Sequence, residues 1–392
     1  MKKSTKILII TLFLCFNQFL VNGETIIRPP QYLIDASIRP VERNIGKLNI
    51  SIDPRMELLT AVQLLANYPM INRDLPYSQE VINHFEAFST HEAVLITNRL
   101  LQNHGFSFDA PVAFMLHLSQ LPELKEKIKF SDYVAGRSGR GDNLKQYRKA
   151  LQQFAEISNF ETFWNSKIPF YNQILDLTIV GMNDFVEDFN LVAVLENYLN
   201  ETKEKGYSII IAPSFRGGYA KLPEANSRNV YAILGANNMK DDTPYMVAPN
   251  MILLALHEFG HTFVNPLTSK HLDRVNSFSE LFEPIKEQMT RMAYPEWELC
   301  VNEHIIRAIC IRLIRLHLET ELSKLLLDFQ IETQASKFFL ENELNQGFVY
   351  IEPLIEKLKE FEYQRDKYNI TFTEFFPQLL DVFEGLLSNK ID

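Results

Sequence analysis

Cysteine is scarce in this chain. Three occur in 392 residues: Cys15, Cys300 and Cys310. Cys15 falls in the leading apolar run. The other two fall in one predicted helix, roughly 15 Å apart along its axis, so they cannot bridge each other and no disulfide framework is available. Stability must therefore come from the core, and a hydrophobic content of 46% is adequate for that. Positive charge is also in deficit, with 39 Lys and Arg against 49 Asp and Glu. Binding phosphate needs a basic surface, so nucleic acid is excluded as an expected partner. Beyond the first 23 residues no apolar run is long enough to cross a bilayer. The stretch Gly136-Arg137-Ser138-Gly139-Arg140-Gly141-Asp142 lacks the Gly-Lys-Ser/Thr ending of a phosphate loop and reads as a solvated turn.

The long apolar run that does exist is at the start. Lys2, Lys3 and Lys6 precede Ile7 to Leu20, and Val21-Asn22-Gly23 follows. This is the layout of a secretory signal peptide, too short for a comfortable span. Residues 1–23 are therefore expected to be cleaved near Gly23, giving a secreted or periplasmic protein with no stable membrane span; a retained anchor is the alternative. The three lysines leave with them, so 36 basic side chains remain against 49 acidic.

The stretch that organises the rest is Pro249 to Pro266, PNMILLALHEFGHTFVNP. Six apolar residues, Met251 to Leu256, run into His257-Glu258-Phe259-Gly260-His261 as in a buried helix. Residues four apart share a helical face, so His257 and His261 can grip one zinc ion through their ring nitrogens. Glu258, offset by one residue, stands beside that ion, where it can take a proton from water that zinc has acidified. The pattern is the HExxH arrangement of zinc metallopeptidases. The rival interpretation is a buried helix that happens to carry two histidines, but burying three titratable groups unpaired costs several kcal/mol, which a metal would offset.

A catalytic zinc needs a third protein ligand and one open position. Val264 and Leu267 stand where the metzincin pattern needs Gly and His, which excludes that class. His271 is a weak candidate, placed beyond a helix expected to end at Asn265-Pro266. Glu280 and Glu303 compete. Glu280 is also explained by a capping box with Ser277 as N-cap. Glu303 interrupts the stripe Leu299, Ile306, Cys310, Leu313, where a carboxylate is costly unless it pairs or binds a cation. Its competing role is an i,i+4 salt bridge to Arg307, worth a few tenths of a kcal/mol if exposed. Glu303 is favoured, with Arg307 and Asn302 as groups that orient it.

Around this centre, residues 24–46 read as an extended leader with one edge strand, and Lys47–Ile52 as a strand. Arg55–Leu121 is helical, and its histidines (His84, His91, His104, His117) are too dispersed to be ligands. Helices follow over 144–160, 161–175 and 185–202. Tyr207–Ala212 and Arg228–Leu234 read as strands. Gly217 and Gly218 between them would let another backbone approach, either an extended substrate pairing with an edge strand or a plain glycine turn. The amphipathic helices after residue 323 read as packing elements only. The expected architecture is α+β, mostly helical, zincin-like with a small sheet beside the HExxH helix. Its main domain spans 47–330 (47–205 mostly helical, 206–330 carrying sheet and metal helices), with 331–392 packed on it.

HEFGHTFVNP, the later Glu303-His304-Ile305-Ile306-Arg307-Ala308 and the early Asp53-Pro54-Arg55-Met56-Glu57-Leu58-Leu59 together resemble a family of exported bacterial proteins. That family is catalogued as a domain of unknown function and grouped with the gluzincin metallopeptidases. The likeness covers roughly residues 50–320. It implies zinc on His257, His261 and Glu303, with Glu258 as general base and a Tyr or His to stabilise the oxyanion: Tyr231, Tyr294 or His304. The spacing from His261 to the third glutamate is longer than thermolysin's own. The expected activity is hydrolysis of a peptide or protein substrate. Two alternatives stand beside it: a zinc hydrolase acting on a non-peptide amide or ester, and a non-catalytic exported binding protein that keeps the fold.

Overall fold

A computed structural model of the chain describes residues 38–388 apart from 187–188, 203–205, 216, 223–227 and 293. The expected signal peptide and the leader as far as residue 37 lie outside the described residues. The architecture is α+β and mostly helical, with a five-stranded mixed sheet and a separate two-stranded antiparallel one. The described chain divides into two compact units, residues 38–184 with 206–251, and residues 185–202 with 252–388.

The first unit holds both sheets. Strands β1 (Val41–Ile45) and β2 (Leu48–Ile52) pair antiparallel about a turn in which Gly46 has φ +56°. Helix α1 (Pro54–Leu65) starts where β2 stops because Asp53 caps it: its carboxylate accepts the Arg55 N–H at 2.8 Å, and Pro54 occupies the first helical position. The Arg55 guanidinium, 2.7 Å from Asp53, holds that carboxyl below its usual range against the opposing effect of burial. Helices α2 (Pro76–Phe85), α3 (Glu92–His104), α4 (Asp109–Leu116), α5 (Asp132–Arg137), α6 (Gly141–Ile157) and α7 (Phe160–Phe185) follow. Segment 136–142, expected as a solvated turn, is instead mostly the end of α5 and the start of α6. Gly139 between them has φ +79° and lies against the His104 ring, leaving no room for a side chain.

Strands β3 (Gly206–Ile211), β4 (Gly217–Lys221) and β5 (Arg228–Leu234) complete the sheet in the order β1-β2-β3-β5-β4. β2, β3 and β5 run parallel, and central β3 is buried from Tyr207 to Ile211. This is why it reads as a continuous β-branched run rather than an alternating one. β4 was hidden by its two glycines. An ideal Cβ on Gly218 would lie 3.7 Å from the Asp109 Cα, so the backbone that approaches this strand is the first turn of α4. β6 (Asn238–Lys240) and β7 (Thr243–Tyr245) form a hairpin closed by Asp241 and Asp242, with φ of +48° and +63°. Asp-Asp is a weaker hairpin signal than Asn-Gly, so the sequence pattern did not reveal it.

The second unit is helical among its described residues: α8 (Leu191–Leu199), the body of α9 (Ala248–Lys270, of which residues 248–251 belong to the first unit), α10 (Leu272–Ser277), α11 (Lys286–Arg291), α12 (Trp297–Leu313), α13 (Glu319–Asp328), α14 (Ala335–Asn345), α15 (Ile351–Tyr368) and α16 (Phe372–Ser388). α12 is its axis, buried on every side from Cys300 to Ile309. α9 does not stop at Asn265-Pro266 as expected but continues another turn to Lys270. Proline removes one N–H from the ladder, but Phe263, Val264, Leu267 and Thr268 are all buried and hold the helix in place. No helix among the described residues is long and apolar enough to cross a membrane.

One carboxyl of the sheet unit is buried among hydroxyls. Glu57, 2% exposed, accepts from the Tyr77 hydroxyl, itself 2.9 Å from that of Tyr171, and its Oε1 is buried with no partner. Burial, reinforced by Asp53, outweighs the Tyr77 hydrogen bond and raises the carboxyl from 4.5 to about 7. The fold therefore favours the neutral acid. That contribution to stability is complete below the unfolded value and is lost as pH rises through the folded one. In urea melts, the stability of the wild type relative to Glu57→Gln should fall by a few kcal/mol as pH rises from about 5 to about 8. A difference that stays flat over that range would show that Glu57 is not held neutral.

Candidate metal centre

The HEFGH pentapeptide lies in the middle of α9. His257 and His261 lie one turn apart on one face, with ring centroids 5.1 Å apart and planes at 84°. α12 passes α9 at Gly260, where an ideal Cβ would lie only 3.1 Å from Ile306 Cγ2. The missing side chain lets the two helices come this close. Glu303, about one turn before Ile306, then faces the imidazoles. Its Oε2 is 3.4 Å from His257 Nε2 and its Oε1 is 3.5 Å from His261 Nε2. The three side chains offer ligand atoms that all lie within 4.8 Å of one another, a group that could hold a metal ion. Among the described residues no second group of this kind occurs.

The electrostatics suit a cation. The Glu303 side chain is 7% exposed. Burial acts to raise its pKa, but His257, Arg307 and His261 together hold the carboxyl well below the ordinary range. His261 Nδ1 lies 3.1 Å from Asn265 Oδ1, which favours a proton on Nδ1 and leaves Nε2, the atom facing Glu303, as the one available to a metal. Arg307 Nη2 donates to Glu303 Oε2 at 3.2 Å and to the Tyr294 hydroxyl at 3.3 Å. Burial first, then the Glu303 charge, push the Tyr294 phenol far above its usual pKa, and the Glu258 charge acts in the same direction. Glu258 itself is half-buried on α9 beside His257. Two imidazoles and one carboxylate are a donor set that zinc accepts, and they leave one position of a tetrahedral shell open.

Several expectations change. Glu280 is exposed in a short 3₁₀ turn, outside the metal group. The capping box does not form either, because Ser277 ends α10 and its hydroxyl donates back to the Arg274 carbonyl at 2.6 Å. The apolar stripe that marked Glu303 is not a stripe: Leu299 is 40% exposed, and α12 is buried all round just beyond it. The Arg307 pair is buried rather than exposed. Asn302 is buried on α12, and its Oδ1 has no hydrogen-bond partner. His271 stacks on Phe376. His91 caps α3 through Nδ1, His84 packs on Phe85 and Phe163, and the buried His117 meets the Ile128 carbonyl. Sequence reasoning missed Gly260 and Glu343. The second lies on α14, 36 residues beyond Arg307, and places both carboxylate oxygens 2.9 Å from Arg307 Nη1.

Fold and site together define an α+β, mostly helical protein with one candidate His₂-Glu metal centre. The chain belongs to the family described as a domain of unknown function, DUF4932, whose model matches residues 48–382. No curated protein and no solved structure matches it.

Two outcomes follow from the geometry. Zinc stoichiometry by mass spectrometry on the purified protein should be about one, abolished in Glu303→Ala and retained in Glu280→Ala; the reverse pattern would move the third ligand to Glu280. Gly260→Ala should cost about 1–3 kcal/mol from overpacking against Ile306 and should weaken zinc retention by displacing Glu303. Unchanged melting and zinc content in that variant would show that the helix approach tolerates a methyl group.

Proposed function

We propose that this protein is an exported, zinc-dependent metallopeptidase of gluzincin type. The convergence of His257, His261 and Glu303 from two helices, with Glu258 adjacent, is the observation that carries the reading. His257, His261 and Glu303 would hold the ion. Zinc there supplies Lewis acidity, which polarises a carbonyl oxygen and acidifies water. Glu258 serves as general base, taking a proton from the attacking water and delivering it to the leaving nitrogen.

Of the three candidate oxyanion donors, Tyr294 suits the task best. Arg307 donates to its oxygen, so the phenolic hydrogen is directed elsewhere and is available to a developing oxyanion. Burial and the Glu303 charge keep that hydrogen in place. His304 is fully buried, with Nδ1 2.7 Å from the Cys300 carbonyl and its ring against Phe348 and Tyr350. Tyr231 belongs to β5 and interacts electrostatically with Arg55. Export rests on the signal-peptide pattern of residues 1–23.

The test is Glu258→Gln assayed against a peptide library, with zinc content measured in parallel. The variant should keep its zinc and lose about 10²–10⁴-fold in peptide hydrolysis. Full activity in the variant would end the general-base role. Wild-type protein that holds zinc and cleaves amides or esters but no peptide would shift the substrate class. Zinc with no hydrolysis of any kind would make the metal a structural staple.

A further inference from the structure

The buried pair behind Glu303 carries more than packing. Glu343 is 2% exposed, and Arg307 Nη1 donates to both of its oxygens at 2.9 Å. The guanidinium also lies over the Phe348 ring, 4.1 Å from its centroid. Held on one edge by Glu343 and on one face by Phe348, Arg307 has a fixed plane. Its Nη2 is then aimed at Glu303 Oε2 and the Tyr294 hydroxyl. A carboxylate has two oxygens to offer a cation. Here Oε2 accepts from the guanidinium and also lies 3.4 Å from His257 Nε2, while Oε1 lies 3.5 Å from His261 Nε2.

We propose that the Arg307–Glu343 pair is a positioning device that holds the Glu303 carboxylate turned towards His257 and His261, ready to complete the metal group. The proposal rests on the metal reading of the site. A Glu303 carboxylate without that anchor would be free to turn away from the imidazoles, and the metal group would lose one of its three donors. Glu343 acts through Arg307 and touches neither metal nor substrate, so its role is positional. An arginine is suited to this role because its planar fork serves two carboxylates at once, which a lysine cannot do in the same way.

Glu343→Gln keeps the shape of the side chain and removes the charge that anchors Arg307. Zinc affinity would be measured by competition with a chromophoric chelator, and the visible spectrum of the cobalt(II)-loaded protein would report coordination number. Thermal melting of the metal-free protein would check the fold. Glu343→Gln should lose about 10–100-fold in zinc affinity, and its cobalt spectrum should change as the released carboxylate shifts against the imidazoles. Arg307→Lys should show both changes, which keeps the question answerable if the first variant does not fold. Variants with wild-type zinc affinity and an unchanged cobalt spectrum would overturn the positioning role while leaving the metal site intact. Wild-type protein that takes up neither zinc nor cobalt would overturn the metal reading itself, and this proposal with it.

Discussion

The helical unit depends on one constraint, an ionised carboxylate buried in the middle of its central helix. Taking a carboxylate out of water costs several kcal/mol unless opposite charge and hydrogen bonds surround it. Glu303 meets that requirement from three directions, with His257 and His261 on α9 and Arg307 one turn along α12. Each element of the surroundings can be traced to it. Gly260 lets α9 approach α12, Asn265 turns the His261 ring, and α14 brings Glu343 to balance the guanidinium that Glu303 requires. Removing any of these groups leaves a buried charge facing an incomplete partner set.

The molecule solves the problem of buried acids in different ways in its two units. In the sheet unit Asp53 is clamped by Arg55 and stays ionised, whereas burial, against the Tyr77 hydrogen bond, favours Glu57, four residues on, as the neutral acid. Both lie in DPRMELL, which itself supplies the Arg55 clamp for Asp53 but does not mark the burial of Glu57. Gln120, which adds a hydrogen bond to Asp53, and Tyr77, which donates to Glu57 and meets Tyr171, come from distant parts of the chain. Composition and spacing locate a buried acid, and its protonation is settled by tertiary neighbours.

The same division explains how much of the site was legible in the sequence. The His257–His261 pair is a local fact of helical periodicity and needs no tertiary knowledge. Glu303 was found because a carboxylate among apolar residues demands an explanation, although the stripe used to find it was partly illusory, since Leu299 faces solvent. The strands Tyr207–Ala212 and Arg228–Leu234 were visible because β-branched runs are distinctive. β4 and the β6–β7 hairpin were not, since glycine and aspartate in strands and tight turns look like loops. Pro266 misled for a related reason. The local cost of a proline in a helix is real, but Phe263, Val264, Leu267 and Thr268 supply enough burial around it to carry α9 onward.

Glu343 was illegible for a deeper reason. In its own helix it reads as one acid among several on an amphipathic segment, and only the contact with Arg307 separates it from its neighbours. The motif residues alone suggest a functional segment that closes soon after α12, and the resemblance they carried stopped near residue 320. The family model runs to residue 382 and so takes in α14, which supplies Glu343. The C-terminal helices touch the site through electrostatics: without the carboxylate of α14, the guanidinium beside Glu303 would add uncompensated positive charge next to the group that could hold a metal ion.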